Sequence, residues 1–446
     1  MSTWLLNYWN HLRTSFWFVP AMLSMLGITL SLAMIRVDEQ VPEMVITHAS
    51  WLWARGPDGA LSLLSTIAGS MITIAGVVFS ITIVALTLAS SQFGPRLLRN
   101  FMRDPGNQIS LGTFIATFLY CLFVIRAVKG GEPEQVFVPF LSITVALFLA
   151  VASLGVLIYF IHHVAVSIQA PHVVAFVSND LHDAITRLFP TTIQDEKGQA
   201  SERHDGKDIP GEFEKNAIPV TASCGGYVQA IAVQELMDLA KSANVLIRVE
   251  RRPGHFVVKG SPLALVWPEQ NIDTKLAAKI HETFILGVQR TQEQDVLYAL
   301  DQLVEIAVRA LSPGINDPFT ALGCIDRLGA ALRQFGERVV HLPYHYDEQD
   351  VLRVIACPVT FRGMTEAAFN QIRRYGRSDA SVTMRLLETI AVVAQFATRK
   401  ENRLALREQA IMIKRGSEEG LPEEMDRMAV DQRYRTVMAM LGNEMS

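Results

Sequence analysis

The sequence predicts a two-part chain: an α-helical transmembrane domain of four spans, followed by a cytoplasmic α+β domain with a small β-module and a helical C-terminal region. Three observations predict it. Long apolar runs are confined to residues 1–170 of the 446. A charged, apolar-poor stretch, "TIQDEKGQASERHDGKDIPGEFEKN" (192–216), separates them from the second half of the chain. In that half, period-two apolar alternation gives way to helical periodicity. The expected organisation is a four-helix transmembrane domain over 1–170, a connecting helix and flexible linker over 171–216, a small β-rich module over 217–270, and a mainly helical domain over 271–446.

Four apolar stretches are long enough to cross a hydrocarbon core of roughly 30 Å. They are Ser15–Ile35, Leu61–Ser91, Ser110–Val128 and Phe137–Ile168. The first is too long, and too poor in a small-residue cleavage site, for a cleaved signal peptide, so it reads as a retained anchor. Arg96, Arg99 and Arg103 cluster in the second connecting loop, whereas the first holds Asp38, Glu39, Glu43 and Asp58 against Arg55. The arginine cluster places that loop, and hence both termini, in the cytoplasm.

The second span stands apart. "STIAGSMITIAGVVFSITIVALTLASS" (65–91) is rich in Gly, Ala, Ser and Thr, and Ser70, Thr73, Ser80 and Thr87 are among its hydroxyls. Small residues let membrane helices approach closely, and hydroxyls bond across them; the same composition also suits a helix lining a polar path. The absence of ionisable residues from this run speaks against a proton relay. Gly94-Pro95 then predicts a break, because proline removes a helical donor. After it, Arg96, Arg99 and Arg103 alternate with Leu97, Leu98, Phe101 and Met102 as a short basic amphipathic helix at the membrane surface, a candidate gate. Small-residue span, kink and interfacial helix together resemble a layout found in some mechanosensitive channels.

In the second half, "IPVTASCGGYVQAI" and "NVLIRVERRPGHFVVKGSPLALVW" read as strands punctuated by Gly225-Gly226, Pro253-Gly254 and Lys259-Gly260, with a helix "VQELMDLAKSA" between them. "RPGHFVVKGSPLA" resembles the half-motif of biotinyl- and lipoyl-type sandwich modules. The place of their modified lysine is taken by that helix, so no attached cofactor is expected. Helices are predicted over 273–288, 292–311, 318–336, 362–376, 379–399, 402–415 and 421–441, with one strand-like run over 351–361.

The densest pattern is "RALSPGINDPFTAL" (309–322). The preceding helix is expected to start at Thr291, with Gln294 completing a capping box. Asp301, Glu305 and Arg309 share one face of it. Pro313 stops that helix, with Gly314 supplying left-handed geometry. Asp317 then caps the next helix, with Pro318 at its first position and Phe319, Leu322, Ile325 and Leu328 as its apolar stripe. Asn316 has no assigned role. Pro313, Gly314, Asn316, Asp317 and Pro318 thus make a structural or assembly corner, and Asp317 would repel an anion at that helix start.

Other chemistry is thin. His162-His163 ends the fourth span, and His341, His345 and Asp347 are interrupted by Pro343, so no metal site is expected. Cys121, Cys224, Cys324 and Cys357 form no CxxC pair and read as buried reduced thiols. A net charge of −4 gives no sign of a nucleic-acid partner. Without a nucleophile–base pair at recognisable spacing, no enzyme is expected.

Three phrases carry a resemblance: "GVVFSITIVALTLASSQFGPRLLRNFMRD" (76–104), "LGTFIATFLYCL" (111–122) and "RTQEQDVLYALDQLVEIAVRALSPGINDPFTA" (290–321). Together they resemble DUF2254, a bacterial family of membrane proteins whose label denotes a domain of unknown function. The resemblance implies a multi-pass inner-membrane protein and brings no catalytic residue, substrate or cofactor with it. The functional expectation is a homo-oligomeric channel or transport-like protein, with the lipid bilayer and its own copies as partners and a small ion or solute as cargo. The alternative is a membrane-anchored scaffold or sensor.

Overall fold

The computed structural model describes residues 17–40, 56–95, 104–130, 136–189, 208–338 and 343–442. The chain divides into two compact units, Met1–His172 and Val173–Ser446. Four helices in the first unit are long and apolar enough to cross a membrane: α1 (Phe18–Asp38), α2 (Gly56–Phe93), α3 (Pro105–Ala127) and α4 (Phe140–Ser167). All four predicted spans are therefore present as helices, with ends shifted by a few residues.

The first and third helices are the most tightly apposed. A Cβ added at Gly27 would stand 2.7 Å from the Ala116 carbonyl oxygen, and one at Gly112 would meet Leu23 Cδ1 at 2.7 Å. Such backbone approach is how membrane helices gain dispersion energy where no hydrophobic effect separates them from lipid. Leu64, Phe114, Tyr120, Val124, Ala146 and Phe160 fill the space between α2, α3 and α4. Several polar groups inside are paired, although the buried Asn107 Oδ1 has no hydrogen-bond partner among the described residues. Tyr120 donates to the Ser142 carbonyl at 3.0 Å, and Thr117 and Ser153 hydroxyls lie 3.1 Å apart.

Helix ends in this unit are tied by two carboxylates. Asp38, at the end of α1, accepts from Leu141 N at 2.8 Å, Ser142 N at 2.9 Å and Ser142 Oγ at 2.6 Å, so it caps α4 from another helix. Asp104 caps α3 through Gly106 N at 2.7 Å, and its other oxygen lies 2.8 Å from His163 Nε2. One half of the predicted histidine pair thus joins the end of α4 to the start of α3.

The second unit holds the rest of α5 (Ala170–Leu188) and an α+β body. Its strands are β1 (Ile218–Thr221), β2 (Gly226–Ile231), β3 (Leu246–Val249), β4 (Phe256–Val257), β5 (Pro262–Trp267), β6 (Phe284–Gly287), β7 (Tyr344–Tyr346) and β8 (Leu352–Ile355). One sheet has the order β1-β5-β3-β8-β7, antiparallel except for the parallel β3–β8 pair; the other has the order β4-β2-β6. Helices α6 (Val233–Ala243) and α7 (Thr274–Glu282) accompany them. Val228, Leu236, Ile247, Leu263, Ile280 and Val354 share one core.

The sheets draw on more than the stretch 217–270, because β6, β7 and β8 come from beyond it. The helix expected over 273–288 ends at Glu282, and "FILG" becomes β6, pairing with β2. Its apolar residues suit either structure; the open edge of β2 decides. "YHY" within 344–346 forms a strand that the sequence pattern does not announce, with Asp347 held by Arg353 at 2.7 Å.

The remaining helices are α8 (Val296–Ala310), α9 (Pro318–Gly336), α10 (Phe361–Tyr375), α11 (Ala380–Ala394), α12 (Lys400–Gly420) and α13 (Glu424–Gly442). They pack as a chain of neighbours: α8 on α9 and α10, α9 on α11, α10 on α12, and both α11 and α12 on α13. Caps set several starts: Asp273 for α7, Asp317 for α9, Thr360 for α10 and Asp379 for α11 each accept a backbone N–H of the first turn.

Candidate functional site

The α2 helix has 38 residues, about 57 Å at 1.5 Å per residue, well beyond a hydrocarbon core. Its two faces differ. Leu64, Ile67, Ala68, Met71, Ala75 and Val78 are buried. Ser62, Thr66, Gly69, Thr73, Gly76, Ser80, Thr87 and Ser91 lie on the opposite side and are exposed. From Ser62 to Ser80 the steps alternate between four and three, so these residues form one narrow stripe. Ser70 sits beside it, also exposed.

The hydroxyls of Thr66, Ser70, Thr73, Ser80, Thr87 and Ser91 donate to their own helix. Thr66 reaches Ser62 O at 2.7 Å, Ser70 Thr66 O at 2.8 Å, Thr73 Gly69 O at 2.8 Å, Ser80 Gly76 O at 2.9 Å and Thr87 Ile83 O at 2.9 Å. These donors are not left bare in an apolar medium, while the oxygen lone pairs still point outward. A Cβ added at Gly69 or Gly76 would find nothing within 4 Å. Gly27 and Gly112 are instead close-packed where α1 crosses α3, and Gly106 at the start of α3 is close-packed against the His163 ring. The sequence carries a signal for Gly112, since Gly112 and Ala116 stand four residues apart as a small-residue pair.

The helix ends at Phe93, and Gly94 follows with φ +114°, a left-handed value that favours glycine. Pro95 is exposed. Arg96, Arg99 and Arg103, the charged side of the expected interfacial helix, lie outside the described residues.

The corner at 309–322 is built mostly as the sequence predicts, with corrections. Asp317 accepts from Thr320 N at 3.1 Å and also from the Thr320 hydroxyl, and Pro318 occupies the first turn of α9. Arg309 and Glu305 pair at 3.5 Å. The left-handed residue is Asn316, with φ +50°, and not Gly314. Asparagine is the usual non-glycine choice there. The turn closes through Asn316 N to Ser312 O at 2.9 Å and Asp317 N to Ala310 O at 2.8 Å. Phe319 does not join the apolar stripe: it is 82% exposed while Ala321 in the same turn is buried, because steps of three drift around a helix of 3.6 residues per turn and carry position 319 to the side opposite Leu328.

The expected capping box is replaced by a longer-range device. The α8 helix begins at Val296 behind Asp295, not at Thr291. Gln294 accepts from Ile231 N at 2.9 Å and donates to Ile231 O at 3.2 Å, clamping the end of β2. Arg290 reaches Asp295 Oδ2 at 2.7 Å and Asp301 Oδ2 at 2.6 Å, with its guanidinium 5.6 Å from the Tyr298 ring centre. Asp295 is only 4% exposed, and burial raises its pKa even though Arg290 pulls it down. Of the cysteines, Cys121 and Cys324 are buried, but Cys224 is exposed in the loop before β2. Among the described residues no group of three His, Cys, Asp or Glu side chains is arranged to hold a metal ion.

The profile of the DUF2254 family, described as a predicted membrane protein, matches residues 13–392. An uncharacterized protein of Mycobacterium bovis and one of Mycobacterium tuberculosis are each 29% identical over 430 residues, covering 94% of this chain and 80% of their own. No solved structure matches. The matched span takes in all four apolar helices, the α2 stripe, the 290–301 clamp and the 309–322 corner, and the chain belongs to the DUF2254 family of predicted membrane proteins.

Proposed function

We propose that this membrane protein self-associates through the outward stripe of α2, and that the stripe lines or gates a path for a small ion or solute in the resulting homo-oligomer. The observation that carries the reading is the contrast between glycines. Gly27 and Gly112 are occupied by a neighbouring helix, whereas Gly69 and Gly76, seven residues apart, face open space. Glycine inside a helix costs about 1 kcal/mol relative to alanine, and a close approach by another helix offsets that. Hydroxyls with satisfied donors and free lone pairs suit water or a facing helix along the same line.

Flux through liposomes containing the purified protein tests it. Thr73→Leu and Ser80→Leu fill the stripe without touching the packed face. Conductance should fall while assembly persists. Intact flux in both variants, or no flux under voltage, osmotic and ligand challenge, overturns the path. Loss of cross-linked oligomers in neither Gly69→Leu nor Gly76→Leu overturns the interface.

A second reading, a membrane-anchored scaffold or sensor, is favoured by Phe319 at 82% and Val288 at 90% exposure on the second unit. A photo-crosslinker at position 319 of the full chain that captures one defined protein would support it; capture of nothing beyond solvent adducts would remove its support.

A further inference from the structure

The 250–260 turn and the 290–301 clamp leave an unbalanced group of cations. Arg290 is occupied by Asp295 and Asp301. Glu250, the nearest acid in sequence, is occupied by Arg248 at 2.7 Å. Arg251 and Arg252 have no carboxylate within ion-pair distance among the described residues, and Arg251 Nε and His255 Nδ1 are buried without a hydrogen-bond partner. Buried polar atoms are nearly always satisfied, and an orphan is expensive.

The backbone holds these groups in one place. Gly254 takes φ +91°, its N–H donates to Val228 O at 2.8 Å, and Val228 N donates to His255 O at 2.9 Å. A Cβ on Gly254 would lie 2.3 Å from Asp295 Oδ2, so the turn and the clamp are in direct contact. Burial first, then Arg252, Arg251 and Arg290, hold the His255 pKa below its usual value. Three guanidiniums thus act on one imidazole, against Asp295 and Asp301, which Arg290 engages directly and of which Asp295 also feels Arg252.

We propose that this turn is a binding site for a phosphate group, held by the guanidiniums of Arg251 and Arg252 and by His255 Nδ1–H. Guanidinium forks match phosphate oxygens in pairs, and a phosphate offers terminal oxygens for all three donors at once. It would satisfy Arg251 Nε and His255 Nδ1 and supply the missing negative charge. The group comes either from a free phosphate or from a lipid headgroup.

The test is a titration of the full chain in detergent at constant ionic strength. Inorganic phosphate and soluble dihexanoyl phosphatidylglycerol are the two probes, and the melting temperature is read. A saturable rise is expected with one of them, and the probe that saturates at lower concentration names the source. Arg251→Gln with Arg252→Gln should weaken the apparent affinity by about tenfold or more, because two charge-assisted hydrogen-bonding partners of the phosphate are removed. If that variant does not fold, Arg251→Lys with Arg252→Lys is read instead; it keeps the charge but loses the paired geometry, and weaker binding is expected. No saturation by either probe, the same curve with acetate, or unchanged affinity in the variant that folds overturns the site.

Discussion

His255 makes the sharpest prediction at the scale of single residues. Its folded pKa lies below the ordinary 6.5 because of burial and the arginines around it. Well above 6.5 both folded and unfolded chains hold the ring neutral. As pH falls through 6.5, the unfolded chain takes up a proton that the folded chain refuses, so stability declines until the folded pKa is reached. In phosphate-free buffer, the melting temperature should fall between neutral pH and about pH 5, the interval in which a histidine ordinarily titrates. His255→Asn should flatten that part of the profile; an unchanged slope in the variant would assign the effect elsewhere.

Arg290 sits at the same scale. Arg290→Ala would leave Asp295 buried without its cation, a loss of about 3–5 kcal/mol for a broken buried pair. Adding Asp295→Asn removes the stranded charge, so the double variant should be more stable than Arg290→Ala alone. Chemical denaturation of the set measures the coupling, and additive losses would mean that Arg290 and Asp295 do not act as a pair.

At the scale of elements, the helices divide by what their glycines touch. Gly27→Leu drives a side chain into the backbone of α3 at Ala116, where nothing can yield. The variant should lose folded protein in detergent. Gly76→Ala meets open space within one chain, so it should fold normally and gain up to about 1 kcal/mol of helix propensity. A thermal shift assay in detergent separates the two, and equal loss in both would mean that α2 is packed through its glycines as well.

Much of this level is legible in the sequence. The four spans follow from apolar length, and Asp317-Pro318 marks the start of α9 to the residue, because cap and proline chemistry are local. What stays hidden depends on distant partners. "FILG" becomes a strand only because β2 offers an edge. Gln294 reads as a local cap until Ile231, more than sixty residues earlier, is placed beside it. Asp38 reads as a loop acid until the start of α4 is brought to it across more than a hundred residues. The outward hydroxyls of α2 are legible as residues. Their outward direction is not, because composition does not say which face the neighbours take.

At the scale of the whole molecule, if each of the four candidate spans crosses once, the loop between α2 and α3 and the chain after α4 share one side of the membrane. The arginine cluster of the second loop argues that this side is the cytoplasm, by the positive-inside rule. The chain carries its own reporter. Cys224 is exposed on the second unit. Cys121 is buried among the spans, and Cys324 is buried with its thiol pushed up to about 12, chiefly by burial and then by Asp317, so neither offers a reactive thiolate at neutral pH. Cys357, half-buried, belongs to the same unit as Cys224 and reports the same side. A membrane-impermeant maleimide added to intact cells should therefore leave the protein unlabelled. The same reagent should label it after permeabilisation, and Cys224→Ser should remove most of that signal. Labelling of Cys224 in intact cells would overturn the expected topology and the expectation that the second unit lies in the cytoplasm.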